Sequence, residues 1–367
     1  MDYSFKTEIA LKYSQKEGKI MFFRSYNSLF YFVQRHFTSL FPFLTVHKTY
    51  NVLLSLLEKH LRKKKCISMP FIYRIDPCSL CNLSCISCKS HSLKTNEKRI
   101  MNLDDFKKII NNIQRYALRV SLYDMGEPLL NKNIYTMIKY ASDKHISTLI
   151  STNFNLFKKE HLEELFNSQL TVLEPCLDGF TQENYEKYRK GGNVEVVKNN
   201  IEMVVTHKIR KKTKLPIVDV QVVVFDHIKE EIPLVDNFLK KCKVDKITYR
   251  GEVLGFNSPE TTRKNMQTQN RNACFWLYIG MMIRPDGNVY PCCGRGFDRF
   301  PYGNLLKNDI SEIWNNKYYR FSRALFSKGP DLDYDEEMLA IPCIACGLFK
   351  KQRTMKKDKF GSVFPVK

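Results

Sequence analysis

The chain has 367 residues, 43% hydrophobic and 26% charged, with only 15 Gly and 14 Pro. This excludes collagen-like, low-complexity and globally disordered classes and leaves one large folded domain with a smaller attachment, or two mid-sized domains. Lys plus Arg is 59 against 38 Asp plus Glu, and the formal charge of +21 would by itself favour a polyanion, nucleic acid or an anionic membrane. The excess sits at the ends, however: residues 1–70 hold 12 Lys/Arg against 4 Asp/Glu and residues 347–367 hold 7 against 1. A nucleic-acid partner is therefore a minor reading.

Residues 1–69 carry 13 aromatic residues and end in the basic run Arg62, Lys63, Lys64, Lys65. They read as two or three helices, either a helical extension packed on the next domain or an interfacial helix at a membrane surface, where aromatic and basic side chains favour the headgroup region. Met1 is not succeeded by a basic segment, an apolar run and a small-residue cleavage site, so no secretory signal is expected. The uncharged stretch from Phe37 to Val46 is about half of the roughly 20 residues that span a bilayer. The expectation is a cytoplasmic protein, with peripheral membrane contact through the N-terminus as a variant.

From residue 71 to 250, short β-branched or aromatic runs alternate with segments of helical period, the pattern of βα units around a parallel sheet. Six strands are expected: Phe71–Asp76, Arg119–Tyr123, Ser147–Ser151, Leu170–Cys176, Ile217–Phe225 and Lys246–Arg250. Between the first two, Leu103, Phe106, Ile109, Ile110 and Ile113 form an apolar stripe behind a cap at Asn102 and Asp105. The fold class is α/β, a partial (β/α)6 barrel of TIM type over residues 70–255, then a small short-stranded domain (256–349) and a basic, solvated tail (350–367).

Barrel chemistry sits at the C-terminal ends of the strands, and the unusual residues are there. The first strand runs into Cys78-Ser-Leu-Cys81-Asn-Leu-Ser-Cys85-Ile-Ser-Cys88. In a reducing compartment such short spacings point to metal or iron–sulfur ligands rather than disulfides. Cys81, Cys85 and Cys88 can ligate three irons of a cubane and leave the fourth open. A zinc knuckle with Cys78 as fourth ligand is the alternative. The second strand leads to Gly126-Glu127-Pro128, where Gly126 permits a tight backbone and Glu127 offers an acceptor to an ammonium. The third ends Ser151-Thr152-Asn153 and the fourth Cys176-Leu177-Asp178, read as ligand contacts or as ordinary capped loops. Arg189 comes next as a partner for a carboxylate or a plain surface arginine. Cys176 places a thiol at the catalytic end of the fourth strand, where it is a candidate hydrogen-atom donor.

These motifs resemble the radical S-adenosylmethionine superfamily over roughly residues 70–349. Cys274, then Gly287 and Cys292-Cys293, then Cys343-Ile-Ala-Cys346, with Gly303-Asn304-Leu305 and Ile313-Trp314-Asn315, resemble its C-terminal SPASM extension, in the shorter Twitch form because too few cysteines remain for two clusters. Ser87, Met125 and Phe154 depart from the family, which has an aromatic residue, Gly and Gly there. The resemblance implies a [4Fe–4S] cluster on Cys81, Cys85 and Cys88 whose open iron is chelated by S-adenosylmethionine. It also implies cofactor contacts from Gly126, Glu127, Pro128, Asn153, Asp178 and Arg189. One auxiliary [4Fe–4S] cluster would lie on Cys274, Cys292, Cys343 and Cys346, although a zinc-ribbon-like site remains an alternative. Cys66, Cys78, Cys242 and Cys293 are left as small buried hydrophobes.

The implied activity is reductive cleavage of S-adenosylmethionine to a 5′-deoxyadenosyl radical that abstracts a substrate hydrogen atom, fed by a donor such as flavodoxin or ferredoxin. The expected outcome is oxidative modification of a small molecule, sugar or lipid. Peptide or protein maturation is the alternative, and nucleic-acid modification comes third.

Overall fold

The computed structural model describes residues 10–14, 19–23, 38–86, 88, 90, 98–251, 274–292, 300–327, 335–345, 355–357 and 363–365. Near the N-terminus it differs from the helical expectation. The first described elements are an antiparallel hairpin, β1 (Ala10–Ser14) and β2 (Lys19–Phe23). Ala10–Ser14 alternates small or charged residues with Leu11 and Tyr13, a period of two that a helix does not use, and Lys19–Phe23 is a short run of large apolar residues after Lys19. One long helix, Val46–His60, comes after it, with Thr45 capping the Lys48 amide.

The six expected core strands all form, each within about two residues of the sequence reading: β3 (Ile72–Ile75), β4 (Arg119–Leu122), β5 (Ser147–Thr152), β6 (Val172–Pro175), β7 (Ile217–Val224) and β8 (Lys246–Gly251). They lie side by side in chain order and all parallel, an open partial barrel. Helices cover the outside. In Leu103–Ile113, Asn102 accepts from the Asp105 amide at 2.8 Å, and Phe106, Ile109, Ile110 and Ile113 are fully buried. Each such side chain contributes about 1.5–3 kcal/mol of transfer free energy.

The C-terminal cysteine region extends this sheet. β9 (Gly280–Ile283) pairs parallel with the other side of β3, Ile72 opposite Gly280 and Ile75 opposite Ile283. β10 (Asn288–Tyr290) and β11 (Gly303–Asn304) add antiparallel, giving the order β11-β10-β9-β3-β4-β5-β6-β7-β8. The β9–β10 turn needs Gly287: its φ is +80°, and a Cβ there would stand 2.5 Å from Leu306. Behind the hairpin, the buried Arg323 donates to Leu277 O at 3.0 Å and lies over Trp314, 4.3 Å from its ring centre. Trp314 Nε1 donates to Ser68 O at 2.9 Å, tying this region to the entry of β3. In the tail read as solvated, two short strands pair, β12 (Met355–Lys357) with β13 (Val363–Pro365).

Candidate active site at the C-terminal ends of the strands

The loop leaving β3 carries Cys78, Cys81, Cys85 and Cys88. No described cysteine forms a disulfide. Burial pushes the Cys81 thiol up to about 11, and the neighbouring Cys85 and Cys88 add to the rise. Burial raises Cys85 as well, against the pull of Arg189, and Cys88 again adds to the rise. The three sulfurs therefore share one neighbourhood. Among the described residues, no three His, Cys, Asp or Glu gather as around one metal ion. Three thiols on one loop are the donor set of a cluster that takes one thiolate per iron. Cys78 is fully buried: its thiol contacts Leu80 O at 3.6 Å, and burial raises its pKa to about 12, with Cys81 adding to the rise.

The Gly126-Glu127-Pro128 turn lies directly on this loop. A Cβ on Gly126 would sit 2.1 Å from Cys78 O and 2.2 Å from Leu80 O, and the Glu127 amide donates to Leu80 O at 2.8 Å. The sequence reads Glu127 as an ammonium acceptor, and the structure places it among local donors. Its carboxylate is 2% exposed and accepts from Thr152 Oγ1 (2.6 Å), Asn153 N (2.8 Å) and Leu129 N (3.1 Å). It is a positioning residue that ties the end of β5 to the cysteine loop, and Pro128 is buried as the first residue of the turn it caps. Asn153 Nδ2 reaches Asn82 Oδ1 at 2.9 Å and lies 3.9 Å from Cys81 Sγ. Phe154, where relatives carry Gly, adopts φ +61° and is stacked on Phe157 with 4.7 Å between ring centres. The left-handed backbone explains the preference for glycine at that position.

Asp178 is fully buried. Its Oδ1 accepts from Val223 N at 2.7 Å, and its Oδ2 takes Arg189 Nε at 2.7 Å and Nη2 at 2.5 Å. The remaining arm, Nη1, lies 3.9 Å from Cys85 Sγ. Asp178 thus acts through Arg189, and Arg189 brings a cation to the cysteine loop. Cys176 is on the sheet's inner face, with Sγ 3.7 Å from Ser151 Oγ, and burial holds its thiol protonated up to about 12.

The strand register exposes a feature the sequence reading missed. Arg74, Tyr123, Ser151, Gln221, Val223, Arg250 and Arg284 are half-buried on one face of the sheet, although a parallel sheet covered on both sides is usually apolar throughout. Arg250 pairs with the buried Glu174 at 3.1 Å. Arg74 and Arg284 share Asp124 at 3.4 and 2.7 Å, and Arg284 also meets Asp76 at 3.3 Å. The available signal was a charge inside each strand run: Arg74 in IYRI, Glu174 in VLEP and Arg250 in KITYRG.

Asp76 is fully buried, and that burial raises its pKa to about 6 despite Arg284. The folded state thus holds a proton that the unfolded chain, at the ordinary 3.8, has lost. The associated stability is present below pH 4 and gone above pH 6. Thermal melts of metal-free protein should show the gap between wild type and Asp76→Asn shifting across that window, and a gap flat with pH would refute the assignment.

In the second cysteine set, Tyr319 is raised chiefly by burial and further by Cys343 and Cys292. Cys274 similarly adds to the burial-driven rise of Tyr278, and Arg323 lies over both rings, 5.4 and 5.8 Å from their centres. Cys343 Sγ also receives the Tyr302 hydroxyl at 3.6 Å. Cys346, Cys293 and Ser87 lie outside the described residues.

Comparison with known proteins agrees with this layout. The model of the radical SAM superfamily matches residues 75–236, and that of an iron–sulfur cluster-binding domain, SPASM, matches residues 274–347. A probable GTP 3′,8-cyclase of Methanococcus maripaludis is 24% identical over 254 residues, covering 64% of this chain and 83% of that protein. An Fe-coproporphyrin III synthase of Methanosarcina barkeri is 28% identical over 109 residues, 30% of this chain and 27% of its own length. Among solved structures, Streptococcus suis SuiB bound to precursor peptide SuiA superposes with a TM-score of 0.57 at 17% identity, over 90% of this chain and 78% of that one.

Proposed function

Because the chain belongs to the radical SAM superfamily and carries a C-terminal SPASM iron–sulfur domain, we propose that this enzyme carries out a radical modification of a polar small molecule on the inner face of its sheet. When bound, the catalytic [4Fe–4S] cluster and S-adenosylmethionine supply one-electron cleavage of the sulfonium and a 5′-deoxyadenosyl radical that abstracts a hydrogen atom. Cys81, Cys85 and Cys88 hold the catalytic cluster, and Cys274, Cys292, Cys343 and Cys346 hold an auxiliary one.

The observation that carries this reading is Arg189. Fixed by Asp178 through two nitrogens, it leaves its third beside Cys85, where it can bind the carboxylate of S-adenosylmethionine in a charge-assisted contact. Glu127 holds the turn and cysteine loop in register. The polar inner face, its guanidiniums matched by Asp76, Asp124 and Glu174, supports a hydroxylated substrate over an acyl chain, in keeping with a cyclase relative named for GTP. An auxiliary cluster able to accept an electron supports a net oxidation, with a flavodoxin or ferredoxin as electron donor. Peptide modification is the second reading, supported by the SuiB structure with its precursor peptide and by anSMEcpe with a peptide, TM-score 0.52.

The test is iron and sulfide content, electron paramagnetic resonance and 5′-deoxyadenosine formation on anaerobically reconstituted protein. Wild type should hold about eight irons with a spectrum changed in part by S-adenosylmethionine, and Cys81→Ala/Cys85→Ala/Cys88→Ala about four with no cleavage. Four irons in wild type with zinc in the C-terminal site would remove the auxiliary electron acceptor. In the same assay, unchanged product from Cys176→Ala would remove Cys176 as a hydrogen-atom donor, a role that in any case excludes net oxidation at the same carbon.

A further inference from the structure

The helix Val46–His60 is built with its polarity reversed. Its buried side is polar: Lys48, Asn51, Ser55 and Glu58. Each has partners. Lys48 Nζ donates to His145 O at 2.6 Å, Asn51 exchanges two 2.9 Å bonds with the Met69 backbone, and Ser55 Oγ donates to Tyr278 O at 2.6 Å. Glu58 accepts from the amides of Ile67 (2.5 Å) and Ser68 (3.2 Å) and from the Ser68 hydroxyl. These bonds settle which side faces inward.

The opposite side is apolar and bare. Val46 (91% exposed), Tyr50 (65%), Leu53 (61%), Leu57 (52%) and Leu61 (54%) recur at i, i+4, i+7, i+11 and i+15. At 100° per residue they fall within about 80° of one another, a straight stripe about 22 Å long. Ile67, six residues beyond Leu61, is exposed as well. A contiguous apolar surface of this kind marks an interaction site.

Charge identifies the occupant. Lys59, His60, Arg62, Lys63, Lys64 and Lys65 cluster at the C-terminal end of the stripe, and Lys63, Lys64 and Lys65 are exposed. The one acidic residue between Thr38 and Met69 is Glu58, already buried against backbone amides. We propose that this helix seats the protein on an anionic phospholipid bilayer, with Val46, Tyr50, Leu53, Leu57 and Leu61 entering the interface and Lys63 and Lys65 meeting the headgroups. An apolar stripe that runs into these exposed lysines matches that surface. No helix among the described residues is long and apolar enough to cross a membrane, so the contact is peripheral.

Flotation of the full-length, cluster-loaded enzyme with phosphatidylcholine vesicles, with and without phosphatidylserine, tests this. Wild type should float with the phosphatidylserine vesicles and much less with the neutral ones. Leu53→Glu/Leu57→Glu should weaken binding at least about tenfold, and Lys63→Gln/Lys65→Gln about tenfold or more. Iron content and 5′-deoxyadenosine formation should be unchanged in both variants. Wild type failing to float overturns the proposal. So does binding that salt abolishes but Leu53→Glu/Leu57→Glu leaves intact, which would be bare charge attraction. A dimer that the leucine variant dissociates, or a fall in that variant's melting temperature, without any vesicle binding, would show instead that a second copy or the chain's own residues cover the stripe.

Discussion

Gly126→Ala should leave the protein with about half its iron and reduce 5′-deoxyadenosine formation below about one-thousandth of wild type, because the added methyl has no place to go. Its Cβ would stand 2.1 Å from Cys78 O, 2.2 Å from Leu80 O and 2.8 Å from Leu80 N. All three are backbone atoms, so no rotamer change relieves the clash. The turn must lift from the cysteine loop, breaking the 2.8 Å bond from Glu127 N to Leu80 O and moving Cys81 away from Cys85 and Cys88. Overpacking against side chains typically costs 1–3 kcal/mol, and against fixed backbone about 3 kcal/mol or more is expected. Iron analysis and thermal melts check this. A fully loaded, active Gly126→Ala would mean that the turn does not hold the loop.

Arg189→Ala should be nearly as damaging, for a different reason. It strands the Asp178 carboxylate, fully buried and left with the Val223 amide as its donor. Removing one partner of a buried ion pair costs about 3–5 kcal/mol because the other charge stays behind. The variant should therefore melt well below wild type without any cofactor, and also bind S-adenosylmethionine far more weakly. Pairing it with Asp178→Asn separates the two effects: stability should return in part, whereas binding measured by calorimetry should not. If binding returned along with stability, Arg189 would be structural only. Arg189→Lys should rescue poorly, since one ammonium cannot hold Asp178 and still reach toward Cys85.

The core strands were legible because each is a short β-branched run bounded by helical period, and the cysteine loop because its spacing is rare. Other features needed three dimensions. Glu127 reads as a ligand group in one dimension, and only the fold shows Thr152, Asn153 and Leu129 donating to it. The helix Val46–His60 misleads in the opposite sense. Its leucine stripe looks like a core face, but partners distant in sequence, Met69 and Tyr278, reward burial of the polar side instead. The inner-face arginines went unnoticed because a single charge within a strand carries little weight until register aligns Arg74, Arg250 and Arg284 on one surface.

The parallel pairing of β3 with β9 bears on how the protein is made. Ile72 finds Gly280 only after more than two hundred further residues have been added, about 10–40 s of synthesis at ordinary elongation rates. Through that interval the strand that feeds the cysteine loop has one open edge. Ser68, Ser55 and Cys66 likewise wait for Trp314, Tyr278 and Asn315. A nascent chain in this state exposes unpaired backbone beside reactive thiols, a hazard for misassembly. Iron delivered before residue 280 emerges would meet a loop whose foundation is half built, so productive cluster insertion belongs after β9 has paired with β3.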